Sequence, residues 1–181
     1  MGVHRLAIVA VLLLPAVATA DPEPASVYVQ GGVGFGVVSV KQSFGGPGYQ
    51  LATGVRVGDL WIRGALNVQT MLISDGGQMY EPHGGVEWRT SGNAGAALFG
   101  GIDVGFVSGS AMGEDGGYTL SGEFAMPQGG LDFGGDDVRF YVGIGILLGH
   151  GTSTDSGAPA GQTSTTGFEG GFNFDLGLMV R

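Results

Sequence analysis

The chain has 181 residues, of which 39 are glycine, 43% are hydrophobic and only 13% are charged. The hydrophobic content excludes an intrinsically disordered chain, and the glycines follow no three-residue period, which excludes collagen. The sequence has no cysteine, so disulfide scaffolds, thiolate metal sites and cysteine-linked lipids are excluded. The formal net charge of −9 disfavours nucleic acid as a partner, because phosphates attract lysine and arginine.

The first residues have the layout of a secretory signal peptide. A short positive start at His4 and Arg5 precedes an apolar run and a small-residue cleavage motif. The run is too short for a membrane-spanning helix, which needs about 20 residues. The predicted organisation is a cleaved signal peptide at 1–20, a short periplasmic lead at 21–25 and one domain at 26–181.

After the lead segment, apolar residues alternate with polar or small ones, and no helical period is found. The last segment is the clearest, since Phe172, Phe174 and Leu176 share one face. Successive side chains of a strand point to opposite faces, so the pattern predicts amphipathic strands. Eight strands are predicted, at 27–37, 49–57, 60–72, 80–89, 95–106, 118–133, 138–148 and 168–181.

The sixth predicted strand has the least regular pattern. Its apolar face begins with Tyr118, Leu120 and Phe124 and resumes with Phe133 in the other register. A one-residue slip of this kind is typical of a β-bulge. We therefore predict a bulge near Met126-Pro127.

The charged residues test these registers, which rest on the apolar residues alone. Twelve charged residues lie inside the predicted strands, and all twelve fall on the polar face. They are Arg56, Arg63, Glu81, Glu87, Arg89, Asp103, Glu123, Asp132, Arg139, Glu169, Asp175 and Arg181. The strands therefore predict a sheet with one continuous apolar face and one polar face.

The connections alternate in length along the chain. Short turns are predicted at Gly58-Asp59, Ser91-Gly92-Asn93 and Gly134 to Asp137. Longer links are predicted at Lys41 to Gly48, Ser74 to Gly77, Gly109 to Gly117 and Gly151 to Thr166. An up-and-down barrel in the outer membrane has short periplasmic turns and long extracellular loops, and an even strand number puts both termini on the periplasmic side.

The composition of the polar face indicates which face points outward. This face is poor in lysine and glutamate and rich in small residues, which suits the crowded interior of an eight-stranded barrel. Aromatic residues on the apolar face cluster near the strand ends, as in the two girdles of membrane barrels. The predicted girdle residues are Tyr49, Tyr80, Trp88, Phe106, Tyr118, Phe133, Phe140 and Phe168. The prediction is an all-β, eight-stranded antiparallel up-and-down transmembrane β-barrel, with a soluble periplasmic β-barrel binding protein as the alternative.

With its export signal, amphipathic strands and alternating links, the chain resembles small outer-membrane barrels of the OmpA-transmembrane-domain and OmpX type. The resemblance covers nearly the whole chain after residue 20 and carries no functional residue. It implies residence in the bacterial outer membrane as a monomer. It also implies contact with outer-membrane lipids and lipopolysaccharide, and insertion by the barrel-insertion machinery. The closing strand departs from such barrels, because it ends in Leu178-Met179-Val180-Arg181 where an aromatic residue is usual.

The polar face predicts a side-chain-filled interior. A buried charge is costly unless it is paired, and arginine suits bidentate pairing with carboxylates. We predict an interior network that contains every charged strand residue named above except Arg181, and that closes the lumen. The alternative is that many of these charges lie near wet rims, where ion pairs contribute little.

Catalysis is not predicted, and neither is a cofactor or a metal. His83 is expected to be an interior hydrogen-bonding residue, since no second histidine has ligand spacing. A lipid A-modifying enzyme is the alternative, because His150, Ser153 and Glu169 lie close together in the sequence and could form a serine–histidine–acid set. A narrow pore is the remaining alternative.

Overall fold

The computed structural model describes residues 26–40, 42–72, 76–90, 95–113, 116–155 and 170–181. The predicted signal peptide and periplasmic lead lie outside these residues, as do the turn Ser91-Gly92-Asn93, Phe168 and Glu169. Within the described ranges, no helix is long and apolar enough to cross a membrane. The strands are β1 Val27–Val40, β2 Gln42–Val57, β3 Leu60–Thr70, β4 Gly77–Arg89, β5 Ala96–Gly113, β6 Gly116–Gly134, β7 Val138–Asp155 and β8 Gly170–Val180.

The eight strands form a closed barrel. Each strand pairs antiparallel with its neighbours in the chain, and β1 pairs with β8. Val33 of β1, for example, lies opposite Leu176 of β8. Closure lets the two end strands satisfy each other's backbone groups, which a barrel in lipid requires. The predicted eight-stranded up-and-down fold is confirmed.

The strands carry their apolar side chains on the outer wall. On β7, Ile144 and Ile146 are more than half exposed, whereas Tyr141 is buried. We call a set of twenty exposed aliphatic and phenylalanine residues on this wall the apolar belt. It consists of Val27, Val29, Val33, Phe35, Leu51, Leu60, Leu66, Val86, Leu98, Ile102, Val104, Leu131, Val138, Ile144, Ile146, Leu148, Phe172, Phe174, Leu178 and Val180.

One rim, the near rim, carries the short turns and both ends of the described chain. Gly58-Asp59 joins β2 to β3, and Gly58 has a φ of 62°, a backbone conformation that favours glycine. Residues 135–137 join β6 to β7, and the amide of Arg181 donates to the Asp137 carbonyl at 2.9 Å. The tight turns predicted at these two places are confirmed.

At the opposite end, the far rim, the strands are longer than predicted. β1 and β2 pair along nearly all of the predicted link Lys41 to Gly48, and β5 and β6 pair across most of Gly109 to Gly117. β7 continues to Asp155, into the predicted link Gly151 to Thr166. The first two loop predictions are wrong, and the third is wrong over 151–155, while 156–166 lie outside the described residues. Glycine and serine mislead here because small residues continue a ladder when a neighbouring strand pairs with them.

β6 is a regular strand. Its register with β5 is constant from Gly116 to Phe133, so the predicted bulge near Met126-Pro127 is wrong. Leu120 and Phe124 are 2% and 4% exposed and point inward. In this half of β6 the apolar residues lie inside, and the alternation never slips.

The interior is stratified along the barrel axis. Near the near rim lies an aromatic-rich cluster of Tyr28, Trp61, Phe99, Tyr141 and Met179. Towards the far rim lies a second cluster, the apolar plug. It consists of Val38, Phe44, Met71, Met79, Val107, Ala111, Leu120, Phe124, Met126 and Leu147. Polar and charged side chains fill the space between the two clusters.

Candidate functional site

Asp132 of β6 lies at the centre of an ion network at the near rim. Its carboxylate, which is fully buried, accepts hydrogen bonds from Arg89 of β4 and Arg139 of β7. Arg89 Nε also donates to Glu87 Oε1 at 2.6 Å. The Arg139 guanidinium donates to the Gly95 carbonyl at 3.2 Å. The network therefore ties β4, β6 and β7 to the segment that leads into β5.

Aromatic rings hold Arg89 in this position. Its guanidinium lies 5.0 Å from the ring centroid of Tyr28 and 5.1 Å from that of Phe99. A cation over an aromatic face is attracted by the ring quadrupole, and the attraction grows when the pair is desolvated. The ion network and the aromatic-rich cluster therefore form one layer at the near end of the lumen.

A second group of charges lies deeper in the barrel. Arg63 of β3 lies 3.5 Å from Glu87 and 3.6 Å from Asp103 of β5. Asp103 Oδ2 is also 2.6 Å from His83 Nδ1. Buried charges are tolerated when several partners share them, and Glu87 joins this group to the near-rim network.

Four side chains form a separate amide cluster between the charges and the apolar plug. Glu81 Oε2 accepts hydrogen bonds from Asn67 at 3.2 Å, Gln69 at 3.4 Å and Asn173 at 2.6 Å. Gln69 also donates to Asn173 Oδ1 at 3.0 Å. Asn67, Gln69, Glu81 and Asn173 are all buried, so this carboxylate is held by neutral donors.

Two residues of the predicted interior network lie elsewhere. Glu123 is exposed on the outer wall, because β6 keeps its register and residue 123 faces outward. Arg56 is exposed at the near rim, where its Nε donates to the Gly58 carbonyl at 3.0 Å. Asp175 is half-buried, with Gln50 donating to it at 3.4 Å. Glu169 lies outside the described residues.

Of the eight predicted girdle residues, six face outward, one faces inward and one lies outside the described residues. Tyr49, Tyr80, Trp88 and Phe133 are exposed on the outer wall. Phe106 and Phe140 also face outward but are half-buried; the Phe140 ring packs against Phe133 at a centroid distance of 5.0 Å. Tyr118 faces inward and packs against the apolar plug, so its girdle assignment is wrong, for the same reason as Glu123. Phe168 lies outside the described residues.

The structure separates His150 from Ser153, two residues of the possible catalytic set, whereas Glu169 lies outside the described residues. His150 is exposed on the outer wall, whereas Ser153 is 9% exposed and faces inward. Residues three apart on a strand point to opposite faces, so this serine and histidine cannot act together. In the part of the chain that is described, no three His, Asp or Glu side chains come close enough to hold a metal ion.

The lumen contains little free space. One cavity of about 10 Å³ is lined by Gln30, Gln50, Arg63, Gln128 and Asp175, among others. This is about the space that one water molecule needs. The inward side chains of both clusters are buried, so side chains fill the described part of the interior.

Sequence reasoning missed a polar zone on the outer wall above the apolar belt. Here outward residues are mainly hydroxylic or charged, and Ser121 and Thr152 hydrogen-bond to each other at 3.2 Å. We call this zone the polar collar. It consists of Ser39, Ser43, Thr70, Gln78, Ser108, Ser110, Thr119, Ser121, Glu123, His150 and Thr152. The available signal was the inverted alternation at the far ends of β5, β6 and β7, where serine and threonine replace valine and isoleucine.

No protein-family model matches the sequence, and no curated protein matches it. The solved structures to which this chain is similar include two small barrels. Neisserial surface protein A matches with a TM-score of 0.64 and 16% identity, covering 87% of this chain and 99% of that one. Ail, the attachment invasion locus protein of Yersinia pestis, matches with a TM-score of 0.51 and 11% identity, covering 84% and 97%. This chain therefore has the fold of small eight-stranded outer-membrane β-barrels, which confirms the resemblance inferred from the sequence.

Proposed function

We propose that this chain is an integral outer-membrane protein that acts as a structural or surface-exposed barrel. The observation that carries the proposal is the apolar belt. The belt exposes twenty large apolar side chains of the described residues, far more than a soluble monomer tolerates as one continuous surface. Acyl chains are the environment that makes this surface favourable.

The dimensions of the belt support the same proposal. On β7 the outward apolar residues run from Val138 to Leu148 and give way to His150. A transmembrane strand needs about 9–11 residues when it is tilted. Trp88 and Phe133 lie towards the near rim and Tyr49 and Tyr80 towards the far rim, at the depths where aromatic rings meet lipid headgroups. We infer that the near rim faces the periplasm.

A closed lumen is part of the proposal. The near-rim network, the amide cluster and the apolar plug occupy successive levels of the interior, and the cavity between them is about 10 Å³. We therefore expect no steady conductance in planar bilayers. Large and stable channels formed by the purified barrel would contradict this part of the proposal.

The proposed role involves no catalysis. The separation of His150 from Ser153 removes the serine–histidine pair on which the enzyme alternative depends. Overexpression in a Gram-negative host should leave the mass spectrum of lipid A unchanged. A new deacylated or acylated lipid A species that requires His150 would support the enzyme instead.

Membrane residence is tested by fractionation and electrophoresis. The full chain, expressed with residues 1–20, should be recovered in the outer-membrane fraction. The refolded barrel should migrate differently in gels before and after boiling, because a closed barrel resists detergent unfolding when it is not heated. Recovery as a compact monomer in the soluble periplasmic fraction would refute the proposal.

A further inference from the structure

Glu81 differs from the other fully buried carboxylates of the lumen. Glu87, Asp103 and Asp132 each lie within 4.0 Å of an arginine. Glu81 is 0% exposed, and no arginine or lysine of the described residues forms an ion pair with it. A buried ionised carboxylate without a compensating positive charge is strongly unfavourable.

The hydrogen bonds around Glu81 also leave acceptors without donors. Glu81 Oε1, Asn67 Oδ1 and Gln69 Oε1 are buried and have no hydrogen-bond partner within the described chain. The neighbouring amide groups are committed, since Gln69 Nε2 donates to both Glu81 and Asn173. Asn173 Nδ2 in turn donates to Glu81. Three unpartnered oxygens therefore belong to one hydrogen-bonded cluster that carries a single carboxylate.

Unpartnered buried polar atoms in a folded protein point to a bound water or ion. A water molecule could donate to two of these oxygens but would leave the charge uncompensated. A proton on Glu81 would serve one further oxygen. A cation both balances the charge and takes carboxylate and amide oxygens as ligands.

We propose that the amide cluster binds one monovalent alkali cation, sodium or potassium. Carboxylate and carboxamide oxygens are the ligands that hard cations prefer, and the ligands here are Glu81 Oε1, Asn67 Oδ1 and Gln69 Oε1. A single carboxylate matches a single positive charge. Asp175 lies on the same face of β8 as Asn173 and adds negative potential without entering the site.

The test compares salts at equal ionic strength. The refolded barrel in zwitterionic detergent is unfolded by heat in sodium chloride, potassium chloride or choline chloride, and circular dichroism follows the transition. We expect the melting temperature to be about 3 °C higher in at least one alkali salt than in choline chloride. In parallel, the ²³Na NMR signal should broaden with the protein and narrow when potassium is added.

Two variants locate the site. Glu81→Gln removes the charge, so the difference between alkali and choline salts should disappear together with the ²³Na broadening. Glu123→Gln removes a carboxylate from the outer wall and should keep both effects. If Glu81→Gln does not fold, the salt series and the ²³Na competition on the unaltered chain decide the question.

Three results would overturn the proposal. The first is an equal melting temperature in all three salts together with an unbroadened ²³Na signal. The second is a salt difference that persists in Glu81→Gln. The third is a barrel in choline chloride that gains stability as the pH falls and gains none from sodium, which would assign a proton to Glu81.

Discussion

The polarity of the inward and outward side chains is reversed between two zones of the barrel wall, the apolar belt and the polar collar. Around the apolar belt, Ile144 faces outward and Asp132 faces inward. Around the polar collar, Ser121 faces outward and Phe124 faces inward. β6 and β7 run through both zones with one constant register, so the backbone does not change where the chemistry does.

This difference shows that alternation and orientation are separate pieces of information. A two-residue period fixes which side chains share a face. The surroundings of the outer wall decide which face is apolar, and we infer that these surroundings change from acyl chains to water at the level of the collar. Above that level the interior becomes an ordinary hydrophobic core.

The largest effect is expected from Phe124→Ala in the apolar plug. Phe124 is 4% exposed, and a buried phenylalanine truncated to alanine costs about 3–5 kcal/mol. Phe174→Ala in the belt should cost less than half of that, because lipid fills the vacated space. Urea unfolding in lipid vesicles measures both. Equal costs would mean that the two sites have the same surroundings.

The next effect contrasts two carboxylates of β6. Asp132→Asn should cost about 3 kcal/mol of unfolding free energy, because it leaves Arg89 and Arg139 buried without their shared partner. Glu123→Gln, on the outer wall, should change stability by no more than about 0.5 kcal/mol. A larger loss in Glu123→Gln than in Asp132→Asn would mean that Glu123, and not Asp132, is the carboxylate of the buried ion network.

An arginine placed on the outer wall tests the boundary between belt and collar. Ile144→Arg should cost about 2–4 kcal/mol, the penalty for a cation facing the middle of the bilayer. Thr152→Arg, on the same face of the same strand, should cost about 0–1 kcal/mol. The same unfolding assay in vesicles reports both. Similar penalties would show that the collar also lies in lipid.

The smallest effect concerns two glycines of β1. A Cβ on Gly36 would clash with Gln69 Nε2 and Asn173 Oδ1, so Gly36→Ala should cost about 1–3 kcal/mol by overpacking. Gly31 faces outward with nothing within 4 Å of the added atom, and Gly31→Ala should be nearly neutral. Thermal unfolding in detergent compares them. A neutral Gly36→Ala would mean that the side chains of Gln69 and Asn173 can move aside.

Most of the barrel could be predicted from the sequence, because β-branched and aromatic residues mark the belt plainly. Ile144 and Trp88 face outward as predicted, since lipid demands apolar atoms on that wall. Leu120 and Phe124 could not be placed, because the pattern of the collar is the mirror image of the belt and a sequence does not show where the lipid ends. The predicted orientations of Tyr118 and Glu123 are wrong for the same reason.

The sequence predicts which charged residues face the lumen better than it predicts which of them pair with each other. The sequence placed Asp132 on the polar face, but its pairing with Arg89 and Arg139 depends on how the strands stagger around the barrel. The amide cluster was missed because asparagine and glutamine alternate with apolar residues on many strands. Its significance comes from convergence across β3, β4 and β8, which no local pattern encodes.

Spin-label scanning along β7 tests the central claim most directly. The chain has no cysteine, so single cysteines at even positions from 138 to 154 can each carry one nitroxide in lipid vesicles. The account predicts that labels from Val138 to Leu148 are relaxed mainly by oxygen dissolved in the bilayer. Those at His150 and beyond should be relaxed mainly by a water-soluble nickel complex. Preferential relaxation by the nickel complex at Ile144 and Ile146 would contradict it.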